Sequence, residues 1–311
     1  MPAIVTLTMN PALDIATEAE KIVPSEKLRC RVPRYDPGGG GINVGRAVHM
    51  LGGDAIAVFP VGGPSGDMLC HLVANEGLPY ATVAIDGITR ESFAVVERQS
   101  GRQYRFLLPG PHIAARDQAR CLDELAAHLK GADYLVASGS LPPGCPPDFY
   151  SSVSELAQQH GARFVLDTSG PALSGFGGGA YLIKASLREL EELSGTEIGS
   201  EGKLERAARA AIERGCTDII VVSLSAEGAL LATKEETRRL PAIPVDALSS
   251  VGAGDSMLAG IVLSLTRGST LTNAVRFGMA AGAAALLRPG TELCRREDTD
   301  RLYRATQSRE I

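Results

Sequence analysis

The sequence predicts an α/β fold: a three-layer α/β/α sandwich around a mostly parallel central sheet, with a small β-sheet lid inserted into it. Two observations lead there. From residue 55 onward, short apolar runs of strand length alternate repeatedly with segments of helical period, and repeated βα units bury a parallel sheet under helices on both faces. The alternation gives way in two places, to a loosely patterned stretch at 15–35 and to a hairpin pattern between 91 and 108. Strands exposed on one face suit a separate small sheet, so all 311 residues read as one domain, with the lid inserted from about 15–35 and 91–108.

Residues 3–8 form a buried first strand ending in the turn Asn10-Pro11-Ala12-Leu13-Asp14, which puts Asp14 just beyond a strand's carboxyl end. Leu28-Arg29-Cys30-Arg31-Val32 alternates as a half-exposed strand does. After Gly38-Gly39-Gly40-Gly41, residues Ile42, Val44, Ala47, Val48 and Leu51 fall at helical spacing, and Gly52-Gly53 closes the helix. A strand at 55–61, a helix at 65–76 and a strand at 81–85 follow, then the hairpin 92–97 and 103–108 around Ser100-Gly101. Helices are expected at 117–129, 147–160, 187–193 and 203–214, and strands at 134–137, 164–166, 181–183, 218–222, 229–233 and 238–240. Two apolar helices, about 256–266 and 271–287, end the pattern.

Composition confines function to a pocket. Hydrophobic residues are 44% and charged residues 22%, the balance of an ordinary globular protein able to bury a large core. The net charge of −5 gives no general attraction to nucleic acid or an anionic membrane, so an anionic ligand must be held by locally placed Lys, Arg and backbone N–H groups. The six cysteines, at 30, 70, 121, 145, 216 and 294, have no C-x-x-C spacing and no nearby His pair. That indicates neither a disulfide framework nor a zinc site and fits a reducing cytoplasm. The chain enters its first strand without a basic and apolar leader, and no apolar run reaches the length of a membrane span.

The stretch Val251-Gly252-Ala253-Gly254-Asp255-Ser256 reads as a glycine turn feeding a helix. Its glycines let the backbone approach a ligand, and the first N–H groups of the helix are free to bind an anion. A carboxylate beside a bound anion is repelled by it, so Asp255 has two readings: a general base for a hydroxyl attacking a phosphoryl group, or a complement to the helix dipole. The glycine run at 38–41 offers bare backbone to a polyhydroxylated ligand, with the Asn43 amide one turn further on; the alternative is a hinge between lid and core. Neither run is a dinucleotide fingerprint, since G-x-G-x-x-G started at Gly38, Gly39 or Gly252 ends at Asn43, Val44 or Met257, and Walker A has no match.

Ligands of open parallel sheets bind beyond the strands' carboxyl ends, where Asp14, Ser138-Gly139-Ser140, Asp167, Lys184, Ser223 and Asp255 are expected. Lys27, Arg29, Arg90 and Arg105 lie on or beside lid strands. A closing lid would gather them onto one phosphate, although each alone also reads as a solvated charge. Glu189, in the first turn after Lys184's strand, suits a hydrated Mg²⁺ or simply complements a helix dipole.

Together, Gly38-Gly39-Gly40-Gly41-Ile42-Asn43-Val44 and the Val251 to Ser256 stretch resemble the two motif regions of the ribokinase-like (phosphofructokinase B type) sugar kinase family. Thr6-Leu7-Thr8-Met9-Asn10-Pro11-Ala12-Leu13-Asp14, Lys27-Leu28-Arg29-Cys30, Gln103-Tyr104-Arg105-Phe106 and Ser138-Gly139-Ser140-Leu141-Pro142-Pro143-Gly144 resemble its phosphosugar branch, so the likeness spans the chain. The resemblance implies a ribokinase-like sandwich and ATP-dependent phosphorylation of the 1-hydroxyl of fructose 6-phosphate to fructose 1,6-bisphosphate, a cytoplasmic step of glycolysis. It implies Asp255 as base with Gly252, Ala253 and Gly254 as anion hole, and Asp14, Gly38, Gly39 and Asn43 on the sugar, with Ser138 nearby. Lys27, Arg29, Arg90 and Arg105 match positions facing the substrate phosphate, some across a homodimer formed by lid sheets. Lys184, Ser186, Ser223 and Gly228 match the ATP side, Glu189 a Mg²⁺ held through water, and Ser249, Val251, Ala285 and Gly290 a monovalent-cation loop that would take K⁺.

The chain departs from the family at Ser186, where Asn in an N-x-x-E pattern is usual, so a water is expected in place of an amide contact. Ala185, Ser225, Arg288 and Glu292 also differ from the close relatives' residues. Tagatose 6-phosphate and fructose 1-phosphate stand as alternative substrates, differing by one stereocentre or by phosphate position. The competing class is a non-catalytic sugar-phosphate sensor. Asp255, Glu189 and the complete Gly-Ala-Gly turn argue against it, because a sensor needs no base.

Overall fold

Alternation along the first strand, β1 (Ile4–Leu7), sends Ile4 into the apolar core on one side of the central sheet and Val5 and Leu7 into the core on the other, as successive side chains of a strand must. A computed structural model of the chain describes residues 2–307. In β8 (Tyr134–Ser138), Tyr134 and Val136 join Ile4 while Leu135 and Ala137 join Val5. A sheet buried on both faces needs a helical layer on each. One layer is built from α1 (Gly40–Met50), α2 (Gly63–Asn75), α8 (Ala253–Thr266), α9 (Leu271–Leu286) and α10 (Arg296–Gln307). The other is built from α3 (Ala115–Leu129), α4 (Phe149–Gln159), the single turn α5 (Pro171–Ser174), α6 (Leu187–Ser194) and α7 (Glu201–Glu213). The three-layer α/β/α architecture is as expected.

Among the described residues the central sheet has nine strands. β5 (Tyr80–Ala84), β4 (Ala55–Val61), β1, β8, β9 (Arg163–Asp167), β10 (Ala180–Ser186) and β11 (Thr217–Ser223) run parallel in that order. β12 (Ala229–Ala232) and β13 (Thr237–Leu240) then add antiparallel. Strand order runs outward from β1 in both directions. The crevice beyond the carboxyl ends of β1 and β8 is thus the switch point where ligands of such sheets bind.

The second sheet contains β3 (Arg34–Gly38), β2 (Ala12–Ala19), β6 (Arg90–Glu97) and β7 (Gln103–Leu107) in that order, with β2 and β6 parallel. Its course differs from the expected one. Residues 28–32 make only one bridge, Cys30 to Ala19; they are exposed, so their alternation has no face to bury. The strand lies at 34–38 instead, where Pro37 and Gly38 hide it from a propensity reading. Asp14 is not in a turn after β1 but inside β2, opposite Asp36 and Ser92. Lys184 lies two residues inside β10 rather than at its end. The sequence reading also missed α10, which buries only Thr299 and Leu302 and so lacks an apolar stripe.

Helices α8 and α9 cross at glycines. A methyl at Gly278 would lie 2.5 Å from the Met257 carbonyl oxygen, and one at Gly260 would lie 2.8 Å from the Gly278 Cα. Gly278→Ala gains about 1 kcal/mol of helix propensity, but the backbone atom it meets cannot rotate away, and overpacking costs about 1–3 kcal/mol. The expected outcome is a lower urea midpoint; an unchanged or raised midpoint would contradict this packing.

Candidate active site

The site begins with the start of α1. Its N-cap, Gly39, has φ 114°, a conformation open to glycine and strained for other residues. The Thr8 hydroxyl just past β1 accepts the Ile42 N–H at 2.7 Å and ties α1 to the sheet edge. Side chains on the glycine run would collide with their surroundings: at Gly38 with the Asp14 carboxyl group, at Gly40 with the Ser138 hydroxyl, at Gly41 with the Leu7 carbonyl. The run therefore lets a lid strand, the end of β8 and α1 meet at one place.

The second glycine turn brings α8 to the same place. Gly252 caps the helix with φ 74°, and the first intrahelical bond shown there runs from Ser256 N–H to Gly252 O at 2.9 Å. Asp255, the third residue of the helix, accepts a hydrogen bond at Oδ2 from Asn43 Nδ2 at 3.0 Å. Burial raises the Asp255 pKa; the Asn43 hydrogen bond, Lys184 and Arg46 oppose that rise, and Asp14 adds to it.

Lys184 lies against this turn, its Nζ 3.0 Å from where a Cβ on Gly254 would stand. It is buried and bonded to Asp167 at 3.1 and 3.3 Å. Burial lowers its pKa, but the Asp167 and Glu189 carboxylates prevail and raise it. Burial pushes Asp167 up to about 6 against the pull of Lys184.

On the lid side, burial pushes Asp14 up to about 6, opposed by Arg90, Arg105 and Arg46. Arg90 donates to the Asn10 carbonyl at 3.1 and 3.3 Å and to that of Leu108 at 3.2 Å. Burial lowers its pKa while Asp14 supports its charge. Arg105 is exposed, and Asp14, Ser92, Arg105, Val251 and Thr291 line one small recess. Lys27 and Arg29 lie on an exposed loop; among the described residues neither makes a hydrogen bond or ion pair to the site.

Ser186 caps α6: its hydroxyl accepts the Glu189 N–H at 3.3 Å, while Glu189 Oε2 accepts the Ser186 N–H at 2.6 Å. This capping box realises the helix-end reading of Glu189, using one of its two oxygens. Ser223, level with Ser186 in the sheet, donates to the Ala185 carbonyl at 3.3 Å. Gly228 closes a tight turn after it with φ 92°.

The remaining cluster joins lid to loop. Ser249 Oγ donates to Gly290 O at 2.7 Å and accepts Val251 N–H at 3.2 Å; Ala285 O accepts Arg288 N–H at 3.0 Å. Arg34 of β3 donates to Asp36 at 2.8 Å, Thr291 at 3.0 Å and Glu292 at 3.2 Å. Thr291 in turn donates to Asp36. Glu292 also accepts Arg288 at 2.7 and 2.9 Å. The lid strand is thereby clasped to residues 288–292.

The sequence reading missed Thr8, Asp36, Arg46 and Glu76. Arg46 was legible only as a charge three residues after Asn43 on an otherwise apolar helix. It is 3% exposed and spans Glu76 with bonds of 2.6 and 2.7 Å.

Comparison with known proteins identifies the family. The pattern of the pfkB family of carbohydrate kinases matches residues 7–298. An ATP-dependent 6-phosphofructokinase isozyme 2 of Mycobacterium tuberculosis is 49% identical over 97% of this chain and 89% of its own length. Phosphofructokinase-2 from Escherichia coli, in complex with potassium, superposes with a TM-score of 0.94 at 40% identity over 99% of this chain and 100% of its own. The same enzyme in complex with fructose-6-phosphate superposes with a TM-score of 0.92 at 40% identity and equal coverage. With the family pattern covering most of its length, a relative at 49% identity and the same fold, the chain belongs to the pfkB family of carbohydrate kinases.

Proposed function

We propose that this protein is an ATP-dependent 6-phosphofructokinase that transfers the γ-phosphoryl group of ATP to the 1-hydroxyl of fructose 6-phosphate. The observation that carries this is the Asp255 carboxylate in the first turn of α8, one oxygen held by the Asn43 amide at 3.0 Å and the Lys184 ammonium beside the same turn. Asp255 takes the hydroxyl proton as O1 attacks the γ-phosphorus; the new O–P bond forms as the bond to ADP breaks. The N–H groups of Ala253 and Gly254, with Gly252 turning the chain, face the charge spreading over the transferring group. Sugar hydroxyls pair with Asp14, Asn43 and the backbone of Gly38 and Gly39, near Ser138.

Arg90 and Arg105 take the 6-phosphate. Lys27 and Arg29 reach it from their exposed loop, in this subunit or across a homodimer. Exposed Tyr35 and Phe106, in one row across the lid sheet through Ile15 and Phe93, support such a dimer, since an exposed apolar patch favours a partner. ATP lies along Lys184, Ser186, Ser223 and Gly228. Among the described residues no group of three or more His, Cys, Asp and Glu could by itself cage a metal. A single carboxylate fits Mg²⁺, which keeps most of its waters and leans on phosphate oxygens; Glu189, with only Oε2 engaged by the Ser186 N–H, would supply it. When bound, Mg²⁺ neutralises phosphate charge. The carbonyls and hydroxyl around Ser249, Val251, Ala285 and Gly290 suit K⁺. The free thiols of all six cysteines fit the cytoplasm.

In a coupled ADP-release assay, turnover is expected with fructose 6-phosphate above tagatose 6-phosphate and fructose 1-phosphate. A preference for either competitor would change the substrate, and sugar binding without turnover would favour the sensor. Asp255→Asn should lower kcat by about 10²–10⁴ with sugar binding retained; unchanged turnover would remove the base.

Asp255 works ionised and its pKa is raised, so activity is lost as pH falls through that value. Asp14, pushed up to about 6, is protonated below it and no longer accepts from two hydroxyls. kcat/KM for the sugar phosphate should therefore fall below about pH 6. A profile flat to pH 5 would contradict this.

A further inference from the structure

Resting on the reading of Asp255 as base, we infer that Arg46, itself held by Glu76, is a positioning residue that fixes which way the Asn43 amide faces and so aims the Asp255 carboxylate. An amide has an accepting and a donating end, whereas a guanidinium only donates. Arg46 Nη1 lies 3.0 Å from Asn43 Oδ1, which leaves Nδ2 for Asp255 at 3.0 Å. Turned over, the amide would set its oxygen against a carboxylate and its NH₂ against a cation.

Arg46 can impose this choice because it is itself held by Glu76 and Pro37. Its Nε and Nη2 span both Glu76 oxygens at 2.6 and 2.7 Å, and Nη1 also donates to the Pro37 carbonyl at 2.9 Å. Two parallel bonds to one carboxylate fix the guanidinium plane. Asn43 and Arg46 stand one turn apart on α1, Glu76 caps the end of α2 and Pro37 lies in β3. A helix end and a lid strand therefore act on the base through one side chain. Arg46 touches no reacting atom; it orients the base through Asn43, and its charge separately lowers the Asp255 and Asp14 pKa values.

A buried ion pair that merely stabilises the fold would behave differently. The charged groups around Asp255 are Arg46 from α1, Lys184 from β10, Asp14 from β2 and Asp167 from β9. Loss of Arg46 removes a cation and frees the amide, and both changes ease protonation of Asp255.

A double-mutant cycle tests the inference. In Arg46→Met, kcat should fall about tenfold or more and the acid limb of kcat/KM should move to higher pH. Asn43→Ala should lower kcat as well, and on the plateau above the acid limb, where Asp255 is ionised in every variant, the double variant should lose no more than the worse single, because there both act on one bond. Arg46→Lys, which keeps charge and a donor but not the fork, should recover part of the loss. If Arg46→Met does not fold, Arg46→Lys takes its place in the cycle. Additive losses, or an unmoved acid limb in folded Arg46→Met, would overturn the inference. Asp255→Asn separates the two claims: full turnover there defeats the base itself, whereas an inactive Asp255→Asn beside an additive cycle defeats only the role of Arg46.

Discussion

The hydrogen bond from Asn43 to Asp255 joins the first turns of two helices whose residues are 212 apart in sequence. Helix N-termini carry partial positive charge and free N–H groups, so two meeting over one sheet edge make a place that favours anions. Bringing them together demands close approach at every contact. Gly38 removes a side chain that would hold β3 away from Asp14, Gly40 and Gly41 remove ones that would hold α1 away from Ser138 and Leu7, and the glycines between α8 and α9 let α8 lie deep in its layer. The apolar core supplies the driving force, and the glycines decide where the helix ends come to rest.

Charge is then placed in this crevice so that few buried groups stand alone. Lys184 meets Asp167, Arg46 meets Glu76, and Asp14 faces Arg90 and Arg105. Breaking a buried pair leaves an uncompensated ion and is strongly destabilising, so the Lys184–Asp167 and Arg46–Glu76 pairs are as much part of the fold as of the chemistry. The serine at 186 fits the same economy. Serine and asparagine are comparable helix caps, and the box between Ser186 and Glu189 keeps the end of β10 and the start of α6 ordered with the shorter side chain.

Much of this was legible in the sequence because it rests on local signals. Apolar period located most helices of both layers, strand-length runs located most of the parallel sheet, and the two glycine runs marked the helix ends that meet. The lid was less legible. Alternation at 28–32 suggested a strand where the chain has no partner face, while Arg34-Tyr35-Asp36-Pro37-Gly38 pairs with β2 despite its proline and glycine. Helix α10 is polar and packs through few side chains, so period could not reveal it. Arg46 was invisible as a site residue for a different reason. Its partners come from residues 37, 43 and 76, and only the tertiary approach of α1, α2 and β3 turns a helical charge into an orienting group.

The central claim is that Asp255, held by Asn43, receives the proton of the hydroxyl that is phosphorylated. A crystal structure of the protein with fructose 6-phosphate and a non-hydrolysable ATP analogue tests it most directly. The account predicts the sugar O1 within about 2.6–3.2 Å of the Asp255 carboxylate, in line with the γ-phosphorus, with the Asn43 bond intact. A sugar bound with O1 turned away from Asp255, or another titratable side chain in contact with O1, would contradict it.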